Sequence, residues 1–190
     1  QVLAQASQVG GFNDADIDCV DNAGVINCIV DIQYLGSTRN TITKLLSDLS
    51  GLNAVNVYSN HATYTMTLDL NGHSLTASSI TLSTRGILTD SVGGSVITGP
   101  VTVNGDGAVL TQGATKAITI TGDLTLTLGT ITQLGTITLN GNFAQGGGTL
   151  TGSVDYWFVC SGNFTVTAGT VTNNKLCLVM SGNDKNITPL

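Results

Sequence analysis

Apolar and polar residues alternate with period two over much of this chain, in short runs separated by glycine. That period places successive side chains on opposite faces of β-strands and leaves little room for long helices. Three of the runs share one phrase. Gly122-Asp-Leu with Gly129-Thr-Ile-Thr is followed by Gly141-Asn-Phe with Gly148-Thr-Leu-Thr, then by Gly162-Asn-Phe with Gly169-Thr-Val-Thr. The copies start 19 and then 21 residues apart, which is the period of a stacked coil.

Assigning one turn glycine to each coil extends the register to Gly72, Gly86, Gly105, Gly122, Gly141, Gly162 and Gly182. Four and two residues before them stand Leu68 and Leu70, Leu82 and Thr84, Val101 and Val103, Ile118 and Ile120, Ile137 and Leu139, Phe158 and Cys160, and Leu178 and Met180. All but Thr84 are apolar, so these positions are expected to point inward. The expected fold is all-β: a parallel β-solenoid of about six to seven coils over residues 61–190, with 19–21 residues in each regular coil.

Residues 1–60 are expected to cap it. Residues 17–31 read as a hairpin about Asn22-Ala-Gly-Val25, which sets Cys19 opposite Cys28 and makes a disulfide there geometrically reasonable, with two buried thiols as the alternative. Ile42, Leu45, Leu46 and Leu49 recur at helical spacing, so one short helix is expected over about 41–50, ended by Gly51.

Composition sharpens this reading. Thr is the commonest residue, with 29 copies, and it suits pleated surfaces that face water. All 12 acidic residues are Asp, only 9% of residues are charged, and the net charge is −6. Six basic residues give no electrostatic footprint for nucleic acid or an anionic membrane. No apolar run approaches a membrane span. With Gln1 reading as the start of a processed chain, and four cysteines, the expected location is secreted, extracellular or at the cell surface.

Leu68-Asp-Leu-Asn-Gly-His-Ser-Leu75 and the Gly-Asn-Phe-Thr-Val-Thr phrases resemble those of parallel β-helix proteins of the pectin-lyase-like shape, especially repetitive adhesins and surface-layer proteins. The resemblance covers roughly residues 64–190 and implies a right-handed helix with about three strands per coil. Its enzymatic members carry acidic and basic clusters on one face, and no such cluster can be matched here residue by residue.

Glycosidic hydrolysis needs paired carboxyl groups, whereas Asp69, Asp90, Asp106, Asp123, Asp155 and Asp184 mostly occupy different positions relative to the turns, and His61, His73, Arg85 and Lys116 are isolated. No enzymatic activity and no resident cofactor are expected. Asp14, Asp16 and Asp18 have the spacing that opens a calcium loop, but Cys19 stands in place of its glycine and Val25 in place of its final acid, so a solvated acidic strand is the plainer reading.

Asp106, Asp123, Asn142, Asn163 and Asn183 follow five of the seven turn glycines and are expected to stack as a ladder. Thr130 and Thr132, Thr149 and Thr151, and Thr170 and Thr172 would form a flat hydroxyl grid over three coils, similar to ice-binding solenoids; Thr as a good residue for a solvated strand explains it equally. Cys160 and Cys177 lie about one coil apart. The register turns Cys160 inward and Cys177 outward, so either the last coil slips by three residues to bond them, the reading favoured where the repeat ends, or Cys160 is a buried thiol. Asn163 and Asn186 match the N-glycosylation sequon.

The expected function is therefore structural: a self-assembling subunit of an extracellular filament or surface layer. It would bind copies of itself through open solenoid ends, with the Val2 to Val9 segment as a strand to donate. The alternatives are a surface adhesin or carbohydrate-binding β-helix, recognising a glycan or receptor, and an ice-binding solenoid.

Overall fold

A computed structural model describes residues 4–8, 17–22, 25–30, 40–153, 155–172 and 176–188. Two strands come first, β1 (Ala4–Gln8) and β2 (Ile17–Asn22). The first coil is β3 (Val25–Val30), β4 (Thr41–Leu45) and β5 (Leu49–Leu52). The second is β6 (Ala54–Ser59), β7 (Met66–Asp69) and β8 (Leu75–Ala77), and the third is β9 (Ile80–Leu82), β10 (Gly86–Thr89) and β11 (Val96–Thr98).

From the fourth coil the first two strands run together as one bent strand. The pairs are β12 (Val101–Thr111) with β13 (Ile118–Thr121), β14 (Leu124–Thr132) with β15 (Ile137–Leu139), β16 (Phe143–Thr151) with β17 (Phe158–Cys160), and β18 (Phe164–Thr172) with β19 (Leu178–Met180). A short β20 (Ile187–Thr188) opens the next turn.

Each coil contributes one segment to each of three faces. Face I carries β3, β6, β9, the first halves of β12, β14, β16 and β18, and β20. Face II carries β4, β7, β10 and the second halves of the bent strands, so faces I and II belong to one 13-stranded sheet. Face III is a separate 7-stranded sheet running β5, β8, β11, β13, β15, β17, β19. Among the described residues all pairing between successive coils is parallel; only β1 on β4 and β2 on β3 are antiparallel, and they lie where the first coil begins. This is a parallel β-solenoid of seven coils.

The interior is built from columns of identical register. Val55, Ile80, Val101, Leu124, Phe143 and Phe164 follow one another up face I, while Leu68, Leu88, Leu110, Ile131 and Leu150 do so up face II; all are buried. Face III supplies Leu75, Ile97, Ile120, Leu139 and Cys160. Late in the rod the filling becomes aromatic. Phe143 stacks on Phe164 at 4.6 Å and meets Phe158 edge-on at 5.5 Å, an arrangement that adds to area burial about 0.5–1.5 kcal/mol per pair.

The expected helix over 41–50 is not formed; β4 and β5 occupy that stretch. Thr43 and Leu45 are buried while Ile42 and Lys44 are not, which is the alternation of a strand, and β4 finds a ready partner in β7. Leu46, which helical spacing would bury, is 49% exposed in the turn that follows. β-branched Thr41-Ile-Thr43 and the waiting strand edge outweigh a four-leucine-type periodicity. The coils accordingly begin before residue 61, since β3 and β4 already stack in parallel on β6 and β7.

The glycine register also divides. Gly122, Gly141 and Gly162 do share one corner, between faces III and I, but their partner in the coil below is Gly99. A Cβ on Gly122 would meet Gly99 O at 2.5 Å, and one on Gly141 would meet Gly122 O at 2.2 Å. Gly105 lies instead at the corner between faces I and II, beside Ser83 and Thr84, as does Gly86, whose N–H donates to Ser83 O, while Gly72 lies at the corner between faces II and III. Leu68 thus points inward from face II and Leu82 and Val101 from face I, whereas Ile118 and Ile137 do so from face III.

Candidate functional site

Asn and Asp at the corner between faces III and I build a ladder. Asn142 donates through its backbone N–H (2.8 Å) and its amide (3.0 Å) to Asp123 Oδ1; the Asn163 N–H donates to Asn142 Oδ1 at 3.0 Å. The next rung is Asn186, whose N–H donates to Asn163 Oδ1 at 3.2 Å, and not Asn183. Asp106 is outside the ladder too. It sits at the corner between faces I and II, its carboxylate forming a long ion pair, 3.9 Å, with Arg85, whose Nε donates to Ala62 O. Both sequon asparagines, Asn163 and Asn186, are exposed rungs of the ladder.

On face II the threonine grid is in register. Thr130 pairs with Thr149 and Thr149 with Thr170, and Thr132 with Thr151 and Thr151 with Thr172, over the inward Ile131, Leu150 and Val171. The coil below contributes Thr111 beside Thr132 and Val109 beside Thr130. Hydroxyl columns are not confined to this face. Thr81, Thr102 and Thr125 stack on face I, and Thr119 and Thr138 on face III.

The sequence pattern gave no warning of a polar column inside the rod. Asp90, Gln112 and Gln133 follow Thr89, Thr111 and Thr132 at the corner between faces II and III, and all three are buried. Asp90 Oδ1 accepts from the N–H groups of Gly72 and Gly93, both at 2.9 Å, and Oδ2 from Ser95 N–H at 3.0 Å. Burial pushes its carboxyl upward, yet hydrogen bonding from Gly93, Ser95 and Gly72 outweighs that and holds it below the usual value. The buried Ser95 hydroxyl has no partner of good geometry, so the N–H groups carry most of this effect. Gln133 Oε1 accepts from Ser153 N–H, whereas both amide atoms of Gln112 are buried without partners. The usable signal was the tripeptide ending three successive face II segments, Leu88-Thr-Asp90, Leu110-Thr-Gln112 and Ile131-Thr-Gln133. One coil earlier, Asp69 is held by Ser91 and lies 3.5 Å from Lys44.

Cys160 and Cys177 are not joined. Cys160 stands between Leu139 and Met180 in the buried face III column, and Phe158 N–H donates to Cys177 O, so no slip occurs. Cys177 is level with Trp157, three residues from the rung that would meet Cys160, or about 10 Å along the strand. Burial pushes the Cys160 thiol above its ordinary value. Cys19 and Cys28 are direct register partners in the β2–β3 pair. Of the acidic series, Asp18 lies in β2, and Asp14 and Asp16 fall outside the described residues.

Among the described residues no group of three or more His, Cys, Asp or Glu side chains could hold a metal ion, and no helix is long and apolar enough to cross a membrane. What stands out is surface: three flat faces carrying hydroxyl and amide columns, and an exposed Trp157 on face III. Comparison with protein-family models, with curated proteins and with solved structures found no match for this chain.

Proposed function

We propose that this chain is a structural, self-assembling subunit of an extracellular filament or cell-surface layer, polymerising along the solenoid axis. The observation that carries the reading is the edge formed by β18, β19 and β20. Columns wholly buried mid-rod, such as Ile137 with Phe158 and Leu139 with Cys160, reach this edge as Leu178 and Met180, which are only partly covered. Ile187 follows Phe143 and Phe164 in its column yet is 54% exposed. A further parallel strand seats here with its register already set, and a second copy supplies it. Sparse charge favours such packing, because little like-charge repulsion opposes it.

In this fold β1 lies antiparallel on its own β4, so strand donation would be an exchange of that pairing for the same pairing in a neighbour. Electron microscopy of the full chain is expected to show unbranched polymers that Ile187→Lys abolishes while the circular dichroism of the coils is retained. A monomer at all concentrations, or polymers indifferent to Ile187→Lys, would sink the reading; assembly that survives deletion of residues 1–9 removes strand donation alone. A freezing-point measurement separates the ice-binding alternative, which alone requires thermal hysteresis.

A further inference from the structure

We infer that face III carries a binding platform for an uncharged glycan, centred on Trp157. This chain has a single tryptophan, and its side chain is 57% exposed, although an indole usually spends its large apolar area on burial. It stands outward on a flat sheet, immediately before the buried Phe158 and beside Thr136 of the coil below, since Phe158 pairs with Ile137. Along the Thr136 strand the next outward residues are Thr138 and the exposed Asn140, and one rung further down come Thr119 and Thr121. Coils are about 4.8 Å apart and alternate residues about 7 Å, so four rungs by three columns make a plane about 14 Å on each side.

The chemistry of that plane selects its occupant. An indole face takes the C–H side of a pyranose ring, and the flanking hydroxyls and the Asn140 amide donate to and accept from sugar hydroxyls. The strands themselves carry no charge: residues 94–98, 117–121, 136–140, 157–161 and 177–181 include no Asp, Glu, Lys or Arg, and Lys116, Asp123 and Asp155 flank them in the corner loops. An anionic polymer would lose solvation here without gaining a counter-charge. A neutral chain running along the rod axis meets one rung about every 4.8 Å, close to the length of one pyranose unit in an extended polymer. Assembly at the solenoid ends leaves this lateral face open, so the platform stands independently of the filament reading.

As the sole tryptophan, Trp157 is its own reporter. The full chain is titrated with hydroxyethylcellulose, laminarin, mannan and dextran, with polygalacturonate as the anionic control, following indole fluorescence, and binding is measured in parallel by affinity electrophoresis. At least one neutral polymer is expected to perturb the fluorescence and retard the protein. Trp157→Ala should then weaken retardation about tenfold or more, Trp157→Phe should restore part of it, and Thr138→Asp should weaken it with the fold intact. Trp157 and Thr138 both point outward, so neither change threatens the core. The inference is overturned if none of the four neutral polymers binds, if polygalacturonate binds as well as they do, or if retardation is indifferent to Trp157→Ala. It is equally overturned if Trp157→Ala abolishes self-association instead, which would assign the face to a second copy.

Discussion

Asp90 shows how much one residue can hold in a fold of this kind. Its carboxylate gathers three backbone N–H groups from two successive turns, and an anion buried without a cation persists because those donors replace water. Since the folded value lies below the unfolded one near 3.8, the stabilisation is complete above that pH and is lost as pH falls through the lower folded value. Asp90→Asn is therefore expected to cost roughly 1–3 kcal/mol at neutral pH, with the gap to wild type closing below the unfolded value; urea titrations across pH would show it. A gap that stays constant down to pH 2 would refute the assignment. The outward threonines and the inward aliphatic residues were legible from alternation alone. Asp90, Gln112 and Gln133 were not, because a period-two pattern marks a polar residue at a strand end as turn, and only the coil register reveals that it faces the interior.

At the level of elements, the corners decide the coil. The strands are short, several of three residues, and each is positioned by the bend before it. Gly99, Gly122, Gly141 and Gly162 stack at one corner with backbone so close that no Cβ fits. Gly141→Ala is expected to destabilise at the upper end of about 1–3 kcal/mol, since the atom it meets is a carbonyl that cannot rotate away; Gly146→Ala, with nothing within 4 Å, should be nearly silent in the same thermal melts. Equal losses at the two sites would contradict the stacked corner. Gly122, Gly141 and Gly162 could be found in the sequence because three nearly identical phrases fix their spacing. Gly99 could not, because the coil from Gly99 to Gly122 is longer, and Gly105 offered a more regular step. The same limit applies to β4, where Ile42, Leu45, Leu46 and Leu49 satisfy a helical period as well as a strand-turn-strand, and the exposed edge of β7 selects the strand.

As a whole molecule the chain is a rod whose contacts are almost all between neighbouring coils, the arrangement in which stability sums over rungs. Its solenoid architecture was readable because the coils from Gly122 onward repeat the same inward positions. Its biological task was less so, since the residues that repeat encode turns and strands, and the outward ones are those any solvated sheet prefers. One feature of the rod has a mechanical outcome. The backbone hydrogen bonds between coils run along its axis, so tension applied at the two ends falls first on an outermost rung. From β9 onward, coils should peel away singly, each releasing about 65–80 Å of chain, from 19–23 residues at about 3.3–3.6 Å apiece. Stretching single molecules is expected to give a sawtooth of near-equal steps, and one all-or-none rip would contradict it. A rod built this way yields in instalments, and in a filament it would act as a shock absorber.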